Sequence, residues 1–300
     1  MSEIRFDGRV AIITGSGRGL GRSHALLLAS RGAKVVVNDL GGSLDGSGEG
    51  NTPADEVVNE IKAAGGEAVA DYNGVHTPEG AQGIIDTAVK AFGKVDIIIN
   101  NAGILRDTTF IKMTDEQWDG VLSTHLLGSY YVTKAAWPIM KENKYGRIIF
   151  TTSAAGLYGN FGQTNYSTAK LGLVGLMNSL KIEGIKSNIM VNVICPAATS
   201  RMTESIMPKE MLSLMTPETV SPMVALFAAE DYKETGNIII AAAGHFAKAQ
   251  IVESKGIYLD PTAPITIEAI QENLPGIMNM EGAVSFQSAM EGVAKCLKRG

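Results

Sequence analysis

The sequence predicts an α/β fold, a doubly wound parallel sheet of seven strands with a C-terminal extension. Three observations predict it. Short β-branched runs alternate with segments of helical length along most of the chain. Those runs are apolar almost throughout rather than at every second residue, as strands buried on both faces should be. With 300 residues and 45% hydrophobic content, the chain can bury a large core without staples.

The strand candidates, in order, are "VAIIT" (10–14), "KVVVN" (34–38), "EAVA" (67–70), "VDIIIN" (95–100), "RIIFTT" (147–152), "MVNVIC" (190–195) and "NIII" (237–240). Each is short, β-branched and nearly continuous in apolar character. Helix-length segments lie between or beside them at 19–31, 53–64, 78–92, 115–141, 164–184 and 217–229. This alternation implies right-handed crossovers and helices on both faces of the sheet. No internal repeat interrupts the pattern, and no linker is visible before about residue 250. Residues 1–250 therefore read as one domain and 251–300 as an extension of it.

Composition removes several classes of function. The net charge is −5 and no run of Lys or Arg is long enough for a nucleic-acid or membrane-surface footprint. Cys195 and Cys296 share no motif spacing and fit a reducing compartment. No His/Cys cluster has metal-ligand spacing, so no metal is expected. The N-terminus shows no apolar signal region, and no apolar run approaches a membrane span. The chain ends "CLKRG" rather than Ser-Lys-Leu, so a cytoplasmic protein is the expectation.

"TGSGRGLG" (14–21) follows the first strand and opens the first helix, the context that a dinucleotide-binding turn requires. Gly15 permits the tight turn, Gly19 lets backbone approach a pyrophosphate, and Gly21 allows close helix–strand packing. The helix start then offers unpaired N–H groups to an anion. Asp39 ends the second strand, 24 residues after Gly15. That is near the distance for a carboxylate gripping the adenosine ribose 2′-hydroxyl, which favours NAD over NADP. Arg18, inside the turn, could instead meet a 2′-phosphate. The glycine-rich stretch 39–53 is either a connector or a lid beside the bound molecule.

Two Tyr–Lys pairs stand four residues apart, Tyr130/Lys134 and Tyr166/Lys170, and either could share one helix face. Thirteen residues before Tyr130 stands Gln117, which has no hydroxyl to offer. Thirteen before Tyr166 stands Ser153, at the carboxyl end of the fifth strand. Ligands of such sheets bind beyond the carboxyl ends of strands. Ser153, Tyr166 and Lys170 therefore converge on a site, and Tyr130/Lys134 belongs to a surface or interface.

Together "TGSGRGLG", "NNAG" (100–103) and Ser153 with "YSTAK" (166–170) resemble the short-chain dehydrogenase/reductase family across residues 8–245. The resemblance implies a Rossmann fold and NAD-dependent hydride transfer on a secondary alcohol or ketone. "VVVNDLGG", "NNAGILRD", "GNFGQTNYSTAKLGL" and the extension are similar to the (3R)-hydroxyacyl-CoA dehydrogenase branch. An acyl-CoA substrate is thereby implied. A hydroxysteroid dehydrogenase, a carbonyl reductase or a 3-oxoacyl-carrier-protein reductase is the alternative, and a cofactor-sensing protein the non-enzyme one.

By the same resemblance Tyr166 exchanges the proton and Ser153 hydrogen-bonds the substrate oxygen. Lys170 would hold the nicotinamide ribose and, with the positive nicotinamide, lower the tyrosine pKa from about 10. Leu20, Asn73, Val75, Asn101, Gly103 and Pro196 fall where the family contacts its cofactor, with Asn100 bracing the sheet. His125 stands where most members have Asn, either relaying a proton or supporting the helix from a buried position. Arg201 replaces a common Thr, leaving Thr199 or Thr203 to clamp the nicotinamide amide. In the extension, Ile265, Ile267, Ile270, Leu274 and Ile277 recur at near-helical spacing and must be buried against something. That is either their own domain or, as the resemblance implies, the partner's acyl site in a homodimer.

Asp39→Ala should narrow the preference for NAD, because it removes both the hydroxyl bond and the repulsion of a 2′-phosphate. Initial rates with each cofactor test this. A wild type that already prefers NADP would give Arg18 the greater weight.

Overall fold

The computed structural model describes residues 3–43, 45–48, 52–198 and 213–297. The chain divides into two compact units, Met1–Lys248 and Ala249–Gly300. In the first, the strands are β1 (Val10–Thr14), β2 (Lys34–Asn38), β3 (Glu67–Asp71), β4 (Ile97–Asn100), β5 (Gly146–Thr151), β6 (Ile189–Ala197) and β7 (Ile238–Ala242). They run parallel in the order β3-β2-β1-β4-β5-β6-β7. Order reverses between β1 and β4, which leaves a crevice at their carboxyl ends.

Register fixes what that crevice receives. Thr14 pairs with Asn38 and Asn38 with Asp71, so three polar strand ends form one row. Behind the row the strands are apolar. Ile12, Ile13, Val35, Val36, Val37, Ile97, Ile98 and Ile99 are all fully buried. Each such side chain is worth about 1.5–3 kcal/mol of burial. The helices α1 (Gly19–Ser30), α2 (Thr52–Ala63) and α3 (Pro78–Phe92) cross over between the first strands. Thr77 caps α3 by accepting from the Gly80 N–H at 3.1 Å, and left-handed Gly93 ends it.

Three elements differ from the sequence-based expectation. Among the described residues the sheet has eight strands, not seven. Ala243 (φ 47°) and Gly244 (φ 80°) make a two-residue turn that returns β8 (His245–Ala249) along β7. A turn of that length joins only antiparallel strands. Secondly, the single helix expected over 115–141 is interrupted. α4 (Asp115–Leu122) passes through one π turn, Ser123–Leu127, into α5 (Gly128–Glu142). A pattern of apolar spacing cannot reveal a single wide turn. Thirdly, a short helix α6 (Ala154–Tyr158) follows β5 and precedes α7 (Thr164–Gly184). Among the described residues of this unit, the remaining α-helix is α8 (Ser221–Ala228).

In the second unit α9 (Ile267–Glu272), α10 (Leu274–Met278) and α11 (Ala289–Leu297) are short. Thr266 caps α9 through the Ala269 N–H, and Lys295 pairs with Glu253 at 2.9 Å. Ile267, Met290 and Leu297 remain largely exposed.

At the amino end of the sheet, Asp96 is buried just before β4. It accepts from the Val10 N–H at 2.8 Å, Arg9 at 3.1 Å and Lys94 at 3.0 Å. Asp96→Ala leaves these donors facing a gap and should cost about 3 kcal/mol. Chemical denaturation should show that loss with cofactor affinity unchanged, because the crevice lies at the opposite end. A change under about 1 kcal/mol would mean that Arg9 is fully served by solvent and Glu230.

Candidate active site

The carboxyl ends of the strands open on a cleft of about 760 Å³. One wall is the turn after β1. Gly15 has φ +63°, and a Cβ there would sit 2.7 Å from Ala102 Cα. Gly19 has φ +53°, and a Cβ there would meet nothing within 4 Å, because the position faces the open cleft. Gly21 does not line the cleft; a Cβ on it would collide with the Gly15 carbonyl. Arg18 starts α1 without a side-chain cap, and no acidic residue occupies the first turn. The uncapped N–H groups and the helix dipole make this end a fitted seat for a pyrophosphate.

Asp39 lines the cleft with both oxygens anchored, Oδ2 by the Gly17 N–H and Oδ1 by the Gly41 N–H, each at 2.8 Å. A carboxylate oxygen accepts more than one bond, so each keeps capacity for a ligand hydroxyl. Asn73 and Val75 also line the cleft, but Asn73 has a structural duty. Its amide donates to buried Asp71 at 2.8 Å, beside donors from Asn38 (2.8 Å), Thr87 (2.7 Å) and its own N–H (3.0 Å). Val75 is buried, and a Cβ on Gly128 would come 2.8 Å from its Cγ2.

The sequence assigned bracing to Asn100 and ligand contact to Asn101. Asn101 turns out to brace as well. Its amide donates to the Thr14 and Gly15 carbonyls, both at 3.0 Å, while its N–H donates to Thr14 Oγ1 at 3.0 Å. Asn100 donates to Thr133 at 3.2 Å. Gly103 was expected to admit the cofactor. Its nearer constraint is His125, since a Cβ on Gly103 would lie 2.9 Å from His125 Nδ1 and strike the ring carbon.

Ser153 ends the β5 connection and caps α6, accepting from the Ala155 N–H at 3.2 Å. Tyr166 and Lys170 project from successive turns of α7 toward the same cleft. Buried Lys170 donates to the Thr151 carbonyl at 2.6 Å, and its Nζ lies 5.5 Å from the Tyr166 ring centroid. The lowered pKa expected of Tyr166 draws on the positive nicotinamide as well as on Lys170. Within the chain alone, burial pushes it up to about 12, a hydrogen bond with Ser153 pulling the other way. Burial likewise pushes Lys170 down to about 7. The ammonium faces a carbonyl rather than the phenol oxygen, so desolvation outweighs attraction.

His125 sits in the π turn, 2% exposed. Its Nε2 lies 2.8 Å from the Ile104 carbonyl and 3.1 Å from the Ile104 N–H, and Nδ1 has no partner. Burial, with Lys170 nearby, holds its pKa well below the ordinary range. The ring stands edge-on to Tyr166, centroids 5.1 Å apart. By contrast, Lys134 donates to Tyr130 at 3.0 Å on an exposed face away from the cleft. Leu20 and Pro196 line the cleft; Thr199, Arg201 and Thr203 lie outside the described residues.

Sequence reasoning missed Asn165. Fully buried, it donates to the carbonyls of Arg106 (3.2 Å) and Gln117 (3.1 Å) and accepts from the Tyr166 N–H (2.7 Å). It thereby fixes the start of α7. Its only signal was its place beside Tyr166.

A doubly wound sheet with a glycine turn, a strand-end carboxylate and a Ser–Tyr–Lys cluster in one cleft defines an oxidoreductase of the dinucleotide-binding class. The family model described as short chain dehydrogenase matches residues 9–211, and the chain belongs to that family. It is 50% identical to peroxisomal multifunctional enzyme type 2 of Drosophila melanogaster, over 99% of this chain and 49% of that protein. The chain thus spans about half the length of that relative. A crystal structure of a short chain dehydrogenase from Mycobacterium avium is 38% identical with TM-score 0.80, covering 91% of this chain and 97% of that one. A 7α-hydroxysteroid dehydrogenase complexed with NADH and 7-oxo glycochenodeoxycholic acid is 27% identical with TM-score 0.72, covering 80% and 95% respectively.

Gly103→Ala should lower kcat/KM at least tenfold or so, because the ring of His125 must move against Tyr166. Adding His125→Ala should restore part of the loss. A double variant no better than Gly103→Ala alone would show that the two positions are not coupled.

Proposed function

We propose that the chain interconverts (3R)-3-hydroxyacyl-CoA and 3-oxoacyl-CoA, using NAD. The observation that carries this is the meeting of Ser153, Tyr166 and Lys170 in one cleft beside an uncapped helix end. Bound NAD supplies the hydride acceptor. On the chain's side, Gly19 and the α1 N-terminus hold the pyrophosphate, and Asp39 takes the adenosine ribose hydroxyl. Lys170 holds the other ribose. Leu20, Val75, Gly103 and Pro196 complete the cofactor's surroundings.

Tyr166 is the proton-exchanging group. With a pKa raised to about 12 it is protonated at neutral pH and ready to give its proton to a ketone oxygen. In the alcohol direction it accepts that proton, which requires positive charge nearby to favour the phenolate. Lys170, pushed down to about 7, supplies such charge as long as it is protonated. Ser153 hydrogen-bonds the phenol and the substrate oxygen. His125 positions Tyr166 and the Ile104 backbone.

The acyl-CoA assignment draws its support from the 50% identity to a multifunctional enzyme along nearly the whole chain. A homodimer is proposed with it, since exposed Ile267, Met290 and Leu297 need a cover; sedimentation velocity reads this directly. The cytoplasmic expectation stands as a proposal. Among the described residues no helix is long and apolar enough to cross a membrane, and the multifunctional relative is named as peroxisomal. Imaging of a tagged chain decides between the two compartments.

Tyr166→Phe should reduce kcat by about 10²–10⁴ with NADH affinity nearly unchanged, while Tyr130→Phe leaves both alone. Steady-state rates over a series of acyl-CoA lengths, with fluorescence titration of NADH, measure this. Equal losses from the two changes would sink the assignment.

A further inference from the structure

The cleft is basic on an acidic chain. Its lining contains the guanidinium cations Arg18 and Arg106, the basic side chain of Lys170 and a single carboxylate, Asp39, whereas the whole chain carries −5. Arg18 stands at the pyrophosphate seat and Lys170 lies buried beside Tyr166. Arg106 belongs to neither. It follows "NNAGIL" after β4, and nothing in the proposed reaction uses it.

The position of Arg106 is fixed from both sides. Its carbonyl is held by Asn165, the residue before Tyr166, at 3.2 Å. Its half-buried guanidinium, in the lining of the cleft, donates to two neutral acceptors, the Asp45 carbonyl at 2.9 Å and the Glu116 carbonyl at 3.0 Å. No carboxylate pairs with it among the described residues. Two of its N–H groups are engaged, which leaves the remaining face of the planar fork to an anion. An arginine set in a ligand cleft, oriented by carbonyls and left without a counter-charge, is prepared for phosphate.

We propose that Arg106 binds a phosphate of the coenzyme A moiety and so selects CoA thioesters over phosphate-free ones. The proposal rests on the acyl-CoA reading above. The dinucleotide's pyrophosphate is already served by the α1 end, so a second anionic ligand accounts for the second guanidinium of the cleft. Because the Arg106 backbone is tied to the start of α7, its charge is carried at a set distance from the proton-exchanging tyrosine.

The test compares a 3-hydroxyacyl-CoA with the same acyl group on N-acetylcysteamine, which keeps the thioester and lacks phosphate. Arg106→Gln should raise KM for the CoA thioester about tenfold or more. It should leave KM for the N-acetylcysteamine thioester and for NAD within about twofold. Arg106→Lys should recover part of the loss, and the salt dependence of the CoA KM should flatten in Arg106→Gln. A rise for both thioesters alike would make Arg106 a brace for its loop and overturn the proposal. A rise confined to NAD would assign it to the cofactor and overturn it too. If the wild type oxidises neither thioester but does oxidise another secondary alcohol, the acyl-CoA reading fails first and this inference with it.

Discussion

The amide of Asn101 on the carbonyls of Thr14 and Gly15 is the interaction on which the site depends. It ties the end of β4 to the turn after β1, across the point where strand order reverses. The tie leaves no room at Gly21, whose added Cβ would come 2.6 Å from that same amide nitrogen. Turn, helix start and neighbouring strand are therefore one rigid body. The helix end can be left uncapped only because this body holds it in place without a cap. A phosphate seat on a loose loop would have to be ordered by its ligand, at a cost in affinity.

The electrostatics of the cleft follow from the same rigidity. Tyr166 and Lys170 are carried inward by α7, and α7 is fixed by Asn165 at its start and by Thr152 on the Lys170 carbonyl at 2.7 Å. Both side chains are thereby desolvated, and each moves toward its neutral form. The pair is in consequence sensitive to any charge brought into the cleft. A charge acts more strongly on such a buried pair than on Tyr130 and Lys134, whose exposed groups are screened by water.

Much of this was legible in the residues. The parallel strands announced themselves by uninterrupted Val and Ile, because burial on both faces leaves no polar alternation. Ser153 was found by its place at a strand end, thirteen residues before Tyr166. What stayed hidden was geometry that changes phase without changing composition. The π turn around His125 preserves helical spacing on either side of it. The bracing by Asn101 was not legible because one asparagine amide serves a carbonyl or a ligand equally well. The raised pKa of Tyr166 comes first from burial, and spacing gives proximity to Lys170 without the depth at which the pair sits. Arg106 lay within a recognised motif, yet its lack of a counter-charge is a property of three-dimensional neighbours.

The turn at Ala243 and Gly244 sets the character of one edge of the sheet. By folding β8 back against β7, it ends an otherwise parallel sheet with a strand of opposite sense. The hydrogen-bonding groups on that border are spaced in alternating narrow and wide pairs, unlike the even ladder of the interior. A border of this kind does not template another parallel strand. With Lys248 among its five residues, β8 also carries a charge that discourages stacking of sheet on sheet. A hairpin of two residues thus makes the two edges of the sheet unlike, with parallel β3 at one and returning β8 at the other.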